Sequence, residues 1–388
     1  MENAHQTIKE VYDKTKLAII KKMKKYIKII QIIIPEFKFK DVKHTFREIG
    51  IDSMDLVVLR VTLEKKITHV IPDYIWLNFT NFLEIIQYCQ SIETEEFQES
   101  SQQNDIKFEK ETSIDMPQMA VEALSENWLF KELGSNHWDM ICKGLNSKSF
   151  DLKDDLENRL YATFVRIKIH CSKTLRDFKE NEKITFNGKI GRYGNSMYYS
   201  QININGSSTT IDAELLTSFS IRNEEDNSKL VKSQPKLGKN LVFEHESIPT
   251  FANEYRLIKK GELNEVNTGG IPFVLEKDTL FETTYTINPY YDINGVGLLY
   301  FAAYPIINDF CEAQYFNQKN DQRWEQSYYT VLKDIFYFSN CNIDDEIIYK
   351  LNSVERIEGN QIKLHSTLFR KSDNQCLAKI LSIKGQKQ

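Results

Sequence analysis

The chain has 388 residues, which predicts two or three domains at about 150 residues per domain. Apolar residues make up 41% and aromatic residues 12%, enough for folded cores and too many for a disordered chain. The formal net charge of −5 lacks the basic excess of nucleic-acid-binding proteins, so we expect no nucleic-acid partner.

The six cysteines are far apart and form no Cys-x-x-Cys pair, which argues against zinc ribbons and disulfide-exchange sites. We predict reduced thiols in a cytoplasmic protein. The most apolar stretch, residues 17–34, contains five lysines, so we predict no membrane span. The opening sequence MENAHQ does not resemble a signal peptide, which agrees with a cytoplasmic location.

Residues 1–92 show helical periodicity. We predict an amphipathic first helix from about Thr7, a second helix over Met54–Leu63 and a closing helix near Asn81–Gln90. Residues 1–90 contain 15 basic and 11 acidic side chains, a net of +4, concentrated at Lys21–Lys28. These lysines leave open a second interpretation, a helix that lies on a membrane surface.

The strongest motif is GIDSMDL at residues 50–56, between a loop and the second helix. We predict Ser53 as the exposed N-cap of that helix. Asp52 and Asp55 would place negative charge at the helix N-terminus, which the helix dipole favours. From these residues alone, a capped helix with no further role is the favoured interpretation of the pattern.

The core Asp52-Ser53-Met54-Asp55-Leu56 resembles the phosphopantetheine attachment site of acyl carrier proteins, and the surrounding helices fit that family over about 85 residues. The resemblance implies an all-α four-helix carrier domain over residues 1–92. It implies 4'-phosphopantetheine esterified to Ser53, with Asp52 beside it. The net positive charge departs from the family, which is usually acidic.

Residues 93–115 carry eight acidic side chains, two lysines and almost no aliphatic ones, so we predict a solvated acidic linker. A helix follows over Ala123–Leu145. The strand Tyr161–Cys171 alternates clearly, and this alternation places Tyr161 on the same apolar face as Ile167 and Ile169. Further strands are predicted near residues 183–191, 196–205, 207–222 and 240–246.

The pattern then repeats. A strand over Leu280–Ile287 leads through a loop to an apolar helix over Val296–Phe310. Strands are predicted near residues 328–338, 344–357, 361–369 and 375–383. A long helix wrapped by an antiparallel sheet is the hot-dog architecture. The predicted fold class is therefore α+β double hot-dog after the helical domain, with hot-dog domains at 116–239 and 240–388.

Three passages, at residues 116–138, 287–305 and 334–345, resemble the double hot-dog acyltransferase/decarboxylases of leinamycin-type polyketide biosynthesis. The resemblance implies an enzyme that decarboxylates methylmalonyl-CoA and places the propionyl group on the arm of an acyl carrier protein. The implied partners are an acyl-CoA substrate and polyketide synthase assembly-line proteins; a homodimer is compatible with it. The implied catalytic residue is Tyr161, as acyl acceptor or proton relay. Without the resemblance, Tyr161 is a core tyrosine, and its phenol would need activation from a pKa near 10.

The loop before the second predicted helix is the other candidate site. Backbone N–H groups at a helix N-terminus can stabilise an oxyanion or enolate. Asn288, Asp292 and Asn294 are predicted to orient a thioester there, and Gly295 and Gly297 to let a substrate approach the backbone. The alternative is an N-capped helix that follows a proline turn. Capping is the favoured interpretation of Ser125 and Asn127 at the first helix.

No histidine lies at the start of either predicted hot-dog helix, which argues against a dehydratase. Metal-ligand clusters and a Gly-x-Ser-x-Gly motif are also absent from the sequence. Two alternatives to the acyltransferase/decarboxylase stay open. One is a hot-dog thioesterase or dehydratase-like isomerase that acts on carrier-bound chains, and the other is a non-catalytic docking or gating module.

Overall fold

The structure, a computed structural model, describes residues 23–92, 106–222, 226, 229–236, 240–275, 278–319 and 323–387. The predicted helix start at Thr7 and residues 93–105 of the predicted linker lie outside the described residues. The chain divides into two compact units, Met1–Ser100 with Asp154–Glu157, and Ser101–Lys153 with Asn158–Gln388. Among the described residues, no helix has both the length and the apolar character that crossing a membrane requires.

The first unit is helical. Its described elements are α1 (residues 23–33), α2 (Ser53–Ile67), α3 (Asp73–Trp76) and α4 (Phe82–Ile92). The rings of Phe37 and Phe46 pack edge-on against Phe82, with centroids 4.6 and 5.2 Å away. Inside this unit, Arg60 donates to Glu64 at 3.0 Å and also pairs with Asp73.

The N-cap of α2 differs from the prediction. Asp52, not Ser53, is the N-cap: its carboxylate accepts hydrogen bonds from the N–H groups of Met54 and Asp55 at 2.7 and 2.9 Å. Ser53 is instead the first helical residue, and it is exposed. A carboxylate satisfies two free N–H groups and also interacts favourably with the helix dipole, which explains why Asp52 takes the capping position.

The second unit is built on one large antiparallel sheet. The first strands of this unit are β1 (Ile106–Ser113), β2 (Met119–Ala120), β3 (Ala123–Leu124), β4 (Tyr161–Cys171), β5 (Lys183–Tyr193), β6 (Met197–Asn205), β7 (Thr210–Arg222), β8 (Leu230–Lys232) and β9 (Phe243–Glu244). The later strands are β10 (Glu265–Thr268), β11 (Ile271–Val274), β12 (Phe281–Thr286), β13 (Tyr328–Tyr337), β14 (Glu346–Ile357), β15 (Gln361–Arg370) and β16 (Cys376–Gln386). The helices are α5 (Glu126–Gly144), α6 (Thr250–Lys260), α7 (Pro289–Asp292), α8 (Tyr304–Asn317) and α9 (Trp324–Ser327).

The strand order shows an internal duplication. It runs β1-β5-β6-β7-β4 and continues β13-β16-β15-β14-β12, so the second half mirrors the first across the β4–β13 pair. One long helix belongs to each half, α5 and α8, and both contribute to the same hydrophobic core. This is the predicted hot-dog arrangement of helix and antiparallel sheet, present twice in one unit.

Part of the predicted linker is a strand. β1 occupies residues 106–113 and pairs with β5 along its whole length. Ile106 and Phe108 pack against the core, while acidic and lysine side chains alternate with them on the exposed face. The high charge of this segment obscured a period-two alternation, which is the signal that matters for a strand at a sheet edge.

The second long helix begins at Tyr304, eight residues later than the predicted start at Val296. Pro305 lies in its first turn, the part of a helix where a missing N–H costs nothing. Before it, Gly297 adopts a φ of +79°, which ends any helical path through residues 296–298. The apolar composition of residues 296–303 therefore reflects a buried turn, not a helix.

A β-bulge in β4 reverses the predicted face of Tyr161. The register with β7 shifts between Phe164 and Arg166. Ala162 and Phe164 consequently pack against the same core as Ile167, and Tyr161 lies on the opposite face of the sheet. The predicted shared face of Tyr161 and Ile167 is wrong because one extra residue inverts the alternation.

A buried ion pair joins the two halves at the β4–β13 seam. The guanidinium of Arg166 donates to both carboxylate oxygens of Asp334, at 3.0 and 2.7 Å. The rings of Phe251 and Phe336 lie 4.0 and 4.3 Å from the guanidinium carbon, and Glu254 accepts a further hydrogen bond at 2.7 Å. The pair therefore sits beneath α6, away from water.

Candidate active site

A pocket of about 780 Å³ opens between the first turn of α5 and the side of α8. Its volume lies in the range of small-molecule sites. Apolar side chains form most of the walls. The lining comprises residues 120, 121 and 123–126 before and at the start of α5, Leu175, residues 306, 309, 310, 313, 314 and 317 of α8, residues 318, 323–325 and 328–330, and Lys384.

Charged side chains cluster at the pocket wall. The carboxyl of Glu126, in the first turn of α5, accepts hydrogen bonds from the hydroxyl of Thr330 and, at 2.6 Å, from the ammonium of Lys333. Lys333 also donates to Asp309 of α8 at 2.7 Å. Glu126 and Asp309 are 183 positions apart in the chain, so folding alone brings them to the same lysine.

A second ammonium completes the cluster. Lys384 of β16 lies 2.9 Å from the carboxylate of Asp309 and 3.5 Å from that of Glu312. Glu312 in turn accepts a hydrogen bond from Asn308 at 2.7 Å. Three carboxyl groups therefore share two ammonium groups, and burial excludes water from most of them. One carboxyl has no full counter-charge, so this cluster can hold a proton.

The pKa values of the carboxyl groups in the cluster are shifted in opposite directions. Burial raises the pKa of Glu126, and the negative charge of Asp309 raises it further. Burial also raises the pKa of Glu312. Burial acts in the same direction on Asp309, but Lys333 and Lys384 outweigh it and lower the pKa of that carboxyl. Acid–base catalysis requires neighbouring groups whose pKa values differ, and an ionised Asp309 beside a proton-accepting Glu126 meets this requirement.

The first turn of α5 contributes backbone N–H groups. Ser125 is its N-cap, as predicted, and its hydroxyl accepts a hydrogen bond from the N–H of Trp128 at 3.4 Å. Asn127 does not cap: its side chain donates to the carbonyl of Ala302 at 3.3 Å. The first N–H groups of a helix have no acceptor within the helix, so this turn can bind a developing negative charge.

The corresponding space at the start of α8 is filled. The ring of Phe301 lies against α5 so closely that a Cβ on Gly134 would be 2.3 Å from it. Phe164 packs 4.2 Å from the same ring. Nearby, His137 bridges Ser200 and Thr217, and burial lowers its pKa to about 3. The duplicated fold therefore leaves the pocket at α5 but packs its counterpart with aromatic rings.

The predicted loop residues mostly hold the loop itself. Asn288 caps α7 by accepting from the N–H of Tyr290 at 3.1 Å. The carboxylate of Asp292 accepts from the hydroxyl of Tyr285 at 2.9 Å and from the N–H of Asn288 at 2.7 Å. The side chain of Asn294 accepts from the N–H groups of Val296 and Leu298, both at 3.0 Å.

The two glycines of this loop have different surroundings. Gly297 needs its positive φ for the turn, whereas Gly295 is exposed and faces open space. Since α8 begins only at Tyr304, the loop does not meet the helix N-terminus as predicted. Among the described lining residues of the pocket there is none of the five predicted loop positions.

Tyr161, the first residue of β4, lies on the sheet face opposite α5 and α8. Its ring is half-buried, and the guanidinium of Arg159 lies 5.1 Å from its centroid. It does not belong to the described pocket lining. The catalytic role of Tyr161 stays a prediction. The contact given above places a cation, not a base, beside its ring.

Sequence reasoning did not identify the charged cluster, although each member leaves a local signal. Asp309 interrupts the apolar run that was predicted to be a helix, and Lys333 interrupts an apolar strand. A charge within an apolar run predicts a buried, partnered group. Which charges would meet depends on contacts between residues about 200 positions apart, and those contacts leave no trace in local periodicity.

No protein-family model matches the chain, and the curated proteins compared with it gave no match. Solved structures do match its fold. A protein of Lactobacillus plantarum described as an oleoyl thioesterase superposes with a TM-score of 0.51 at 11% identity, covering 74% of this chain and 98% of that chain. The 12:0-ACP thioesterase from Umbellularia californica gives a TM-score of 0.47 at 11% identity, covering 73% and 95%. An acyl-ACP thioesterase from Bacteroides thetaiotaomicron gives 0.46 at 10% identity, covering 72% and 97%. The first of these supports the hot-dog fold of the second unit.

Proposed function

We propose that this chain is an enzyme that hydrolyses acyl thioesters, with its active site in the pocket between α5 and α8. The observation that carries the proposal is the cluster of Glu126, Asp309 and Lys384 on the wall of a largely apolar pocket, with Lys333 paired to both Glu126 and Asp309. Convergent polar groups on an apolar cavity are the usual form of a small-molecule site. The thioesterase descriptions of proteins with similar folds agree with this proposal.

The proposed reaction adds water to the thioester carbonyl and breaks its carbon–sulfur bond. Glu126, whose pKa is raised, takes the proton from the attacking water and returns it to the departing thiolate. The N–H groups of the first turn of α5 stabilise the oxyanion. Lys333 and Thr330 orient the Glu126 carboxyl, and Asp309 holds Lys333 in place.

Thiol release tests this proposal directly. Purified chain should liberate free thiol from a panel of acyl-CoA thioesters with two to sixteen acyl carbons, followed with a thiol reagent. The pocket is largely apolar, so at least one member of the panel should be hydrolysed well above the uncatalysed rate. Absence of thiol release across the whole panel would refute the hydrolytic function.

We also propose that residues 1–92 form an acyl carrier domain. Ser53 suits a covalent 4'-phosphopantetheine arm because it is exposed at the first position of a 15-residue helix, and Asp52 secures that helix start. When bound, the arm supplies a thiol that carries acyl groups as thioesters. Carrier proteins or CoA are therefore the proposed partners, and polyketide synthase assembly-line proteins belong to the same proposal.

Ser53→Ala should abolish attachment of the arm. After incubation with CoA and a phosphopantetheinyl transferase, intact mass should show one added phosphopantetheine on the wild type and none on the variant. Ser91→Ala, at an exposed serine of α4 in the same unit, is the matched control and should still be modified. Equal modification of wild type and Ser53→Ala would contradict the carrier assignment.

The decarboxylating acyltransferase is the second candidate function, carried by the resemblance of residues 287–305 to that family. It assigns the chemistry to Tyr161, Asn288, Asp292 and Asn294. The same arm-bearing protein, incubated with methylmalonyl-CoA, distinguishes the two functions. A three-carbon acyl group on Ser53 by intact mass would favour the acyltransferase, whereas free thiol without loading would favour hydrolysis.

A further inference from the structure

We infer that the pocket takes an apolar acyl chain of medium length, about eight to ten carbons, and that the small side chain of Ala313 leaves room for it. This inference rests on the proposed function, because it takes the charged cluster as the place where the thioester carbonyl lies. It goes further by naming the chain that the remaining space accepts.

One stripe of α8 faces the pocket. Its members are Ile306, Phe310, Ala313 and Asn317, spaced three or four residues apart as one face of a helix requires, with Asp309 beside Phe310. At about 1.5 Å per residue, the eight steps from Asp309 to Asn317 extend about 12 Å. In the other direction, Ile306 is only three positions from Asp309. The long arm of the pocket therefore runs from the cluster towards the C-terminal end of α8.

The walls along this long arm are aromatic and buried. Trp324 is 3% exposed and stacks between Phe316 and Tyr328, with ring centroids 3.8 and 4.3 Å away. Leu124 and Leu175 are also buried and line the same pocket. Ile306, at the other end of the stripe, is 38% exposed, and Phe310, beside Asp309, is 54% exposed. The chain belongs on the buried side, and the thiol-bearing arm enters from the exposed side.

Two polar side chains of α8 along the long arm, those of Gln314 and Asn317, make hydrogen bonds to other protein groups. The amide of Gln314 accepts a hydrogen bond from Thr283 at 3.0 Å. Asn317 accepts from the N–H of Trp324 at 2.7 Å and donates to Glu325 at 2.9 Å. An apolar chain therefore meets hydrocarbon and ring faces, with no need for polar substituents of its own.

The length of the arm sets the length of the chain. An extended chain advances about 1.25 Å per carbon, since its bonds of about 1.52 Å zigzag. About 12 Å therefore holds eight to ten carbons. Ala313 stands one turn from Asp309, about 6 Å along the helix, so a large side chain there would leave room for only four or five carbons.

Ala313→Phe tests the inference. In the wild-type chain, kcat/KM for acyl-CoA hydrolysis should rise about fourfold per methylene as apolar surface is buried, and level off near ten carbons. In Ala313→Phe we expect decanoyl-CoA hydrolysis to fall at least a hundredfold, while butyryl-CoA hydrolysis stays within about threefold. Lys319→Phe, which adds the same ring at an exposed site two residues after α8 and outside the pocket lining, should keep the wild-type profile.

Binding measurements keep the result interpretable. Calorimetry with decanoate and butyrate should show tighter binding of decanoate by the wild type and loss of that preference in Ala313→Phe. Ala313→Leu, a smaller change, should shift the preferred length by fewer carbons if the phenylalanine variant does not fold. If no thioester is hydrolysed yet decanoate is preferred, the hydrolytic function fails and the chain inference stands. A wild-type optimum at two to four carbons, or an equal loss for both chain lengths in Ala313→Phe, would overturn the inference.

Discussion

Replacement of Glu126 by glutamine is expected to lower kcat/KM for thioester hydrolysis by about 10²–10⁴-fold, the usual contribution of a general base. Glutamine has nearly the same shape. Its amide oxygen can still accept from Lys333 and its NH2 group can donate to the hydroxyl oxygen of Thr330, so the pocket should keep its form. What it lacks is the ability to take a proton from water. The measurement is kcat/KM on the best acyl-CoA substrate.

The pH dependence provides a second readout. Because burial raises the pKa of Glu126, wild-type activity should fall as the pH drops through that raised value and the carboxyl becomes protonated. The residual activity of Glu126→Gln should lose this dependence. Glu132→Gln, on the same helix but paired with Lys110 at the surface, should keep both rate and pH profile. A Glu126→Gln variant with wild-type kinetics would exclude Glu126 as the base.

Loss of the seam ion pair should have the largest effect on stability. Arg166→Met is expected to reduce the free energy of unfolding by about 3–5 kcal/mol, because it leaves the fully buried carboxylate of Asp334 without its cation. The methionine can fill the space between Phe251 and Phe336, so the loss reports mainly on charge. Urea unfolding of the full chain measures it.

Two further variants separate charge from packing. The double variant Arg166→Met with Asp334→Leu should be more stable than Arg166→Met alone, because no unpaired charge remains in the seam. Lys183→Met removes an ion pair at the surface, where Lys183 lies 2.7 Å from Glu111, and should leave the unfolding curve unchanged. If Lys183→Met and Arg166→Met destabilise the protein equally, burial does not increase the effect that loss of the seam pair has on the free energy of unfolding.

The duplicated fold was readable from local pattern. Alternation predicted β5, β6 and β7 in the first half and β13 to β16 in the second, each within a few residues of its observed bounds. The alternation of a strand is visible over five or six residues, so the local sequence is sufficient to predict the strand. Where one residue interrupts the period, as at the bulge of β4, the same evidence placed Tyr161 on the wrong face.

Helix starts were less predictable than strands. Composition alone extended the second long helix back to Val296, although Pro305 restricts its first turn and Gly297 adopts a positive φ. For β1, a high charge hid the alternation of Ile106 and Phe108. In both places the sequence contained residues that indicate the observed structure, but the overall composition of the segment favoured a different prediction.

By itself, the sequence determined the helical N-terminal part, the two runs of helix and strands, and the exposed serine at residue 53, because these depend on neighbours within one turn or one strand. The tertiary structure alone decided which charges meet. Glu126, Asp309, Lys333 and Lys384 come from two helices and two strands, and they converge because the two halves of the sheet join at β4 and β13. A buried charge must be paired in the folded structure, because leaving it unpaired is energetically costly. That cost does not depend on how far apart the two partners lie in the chain.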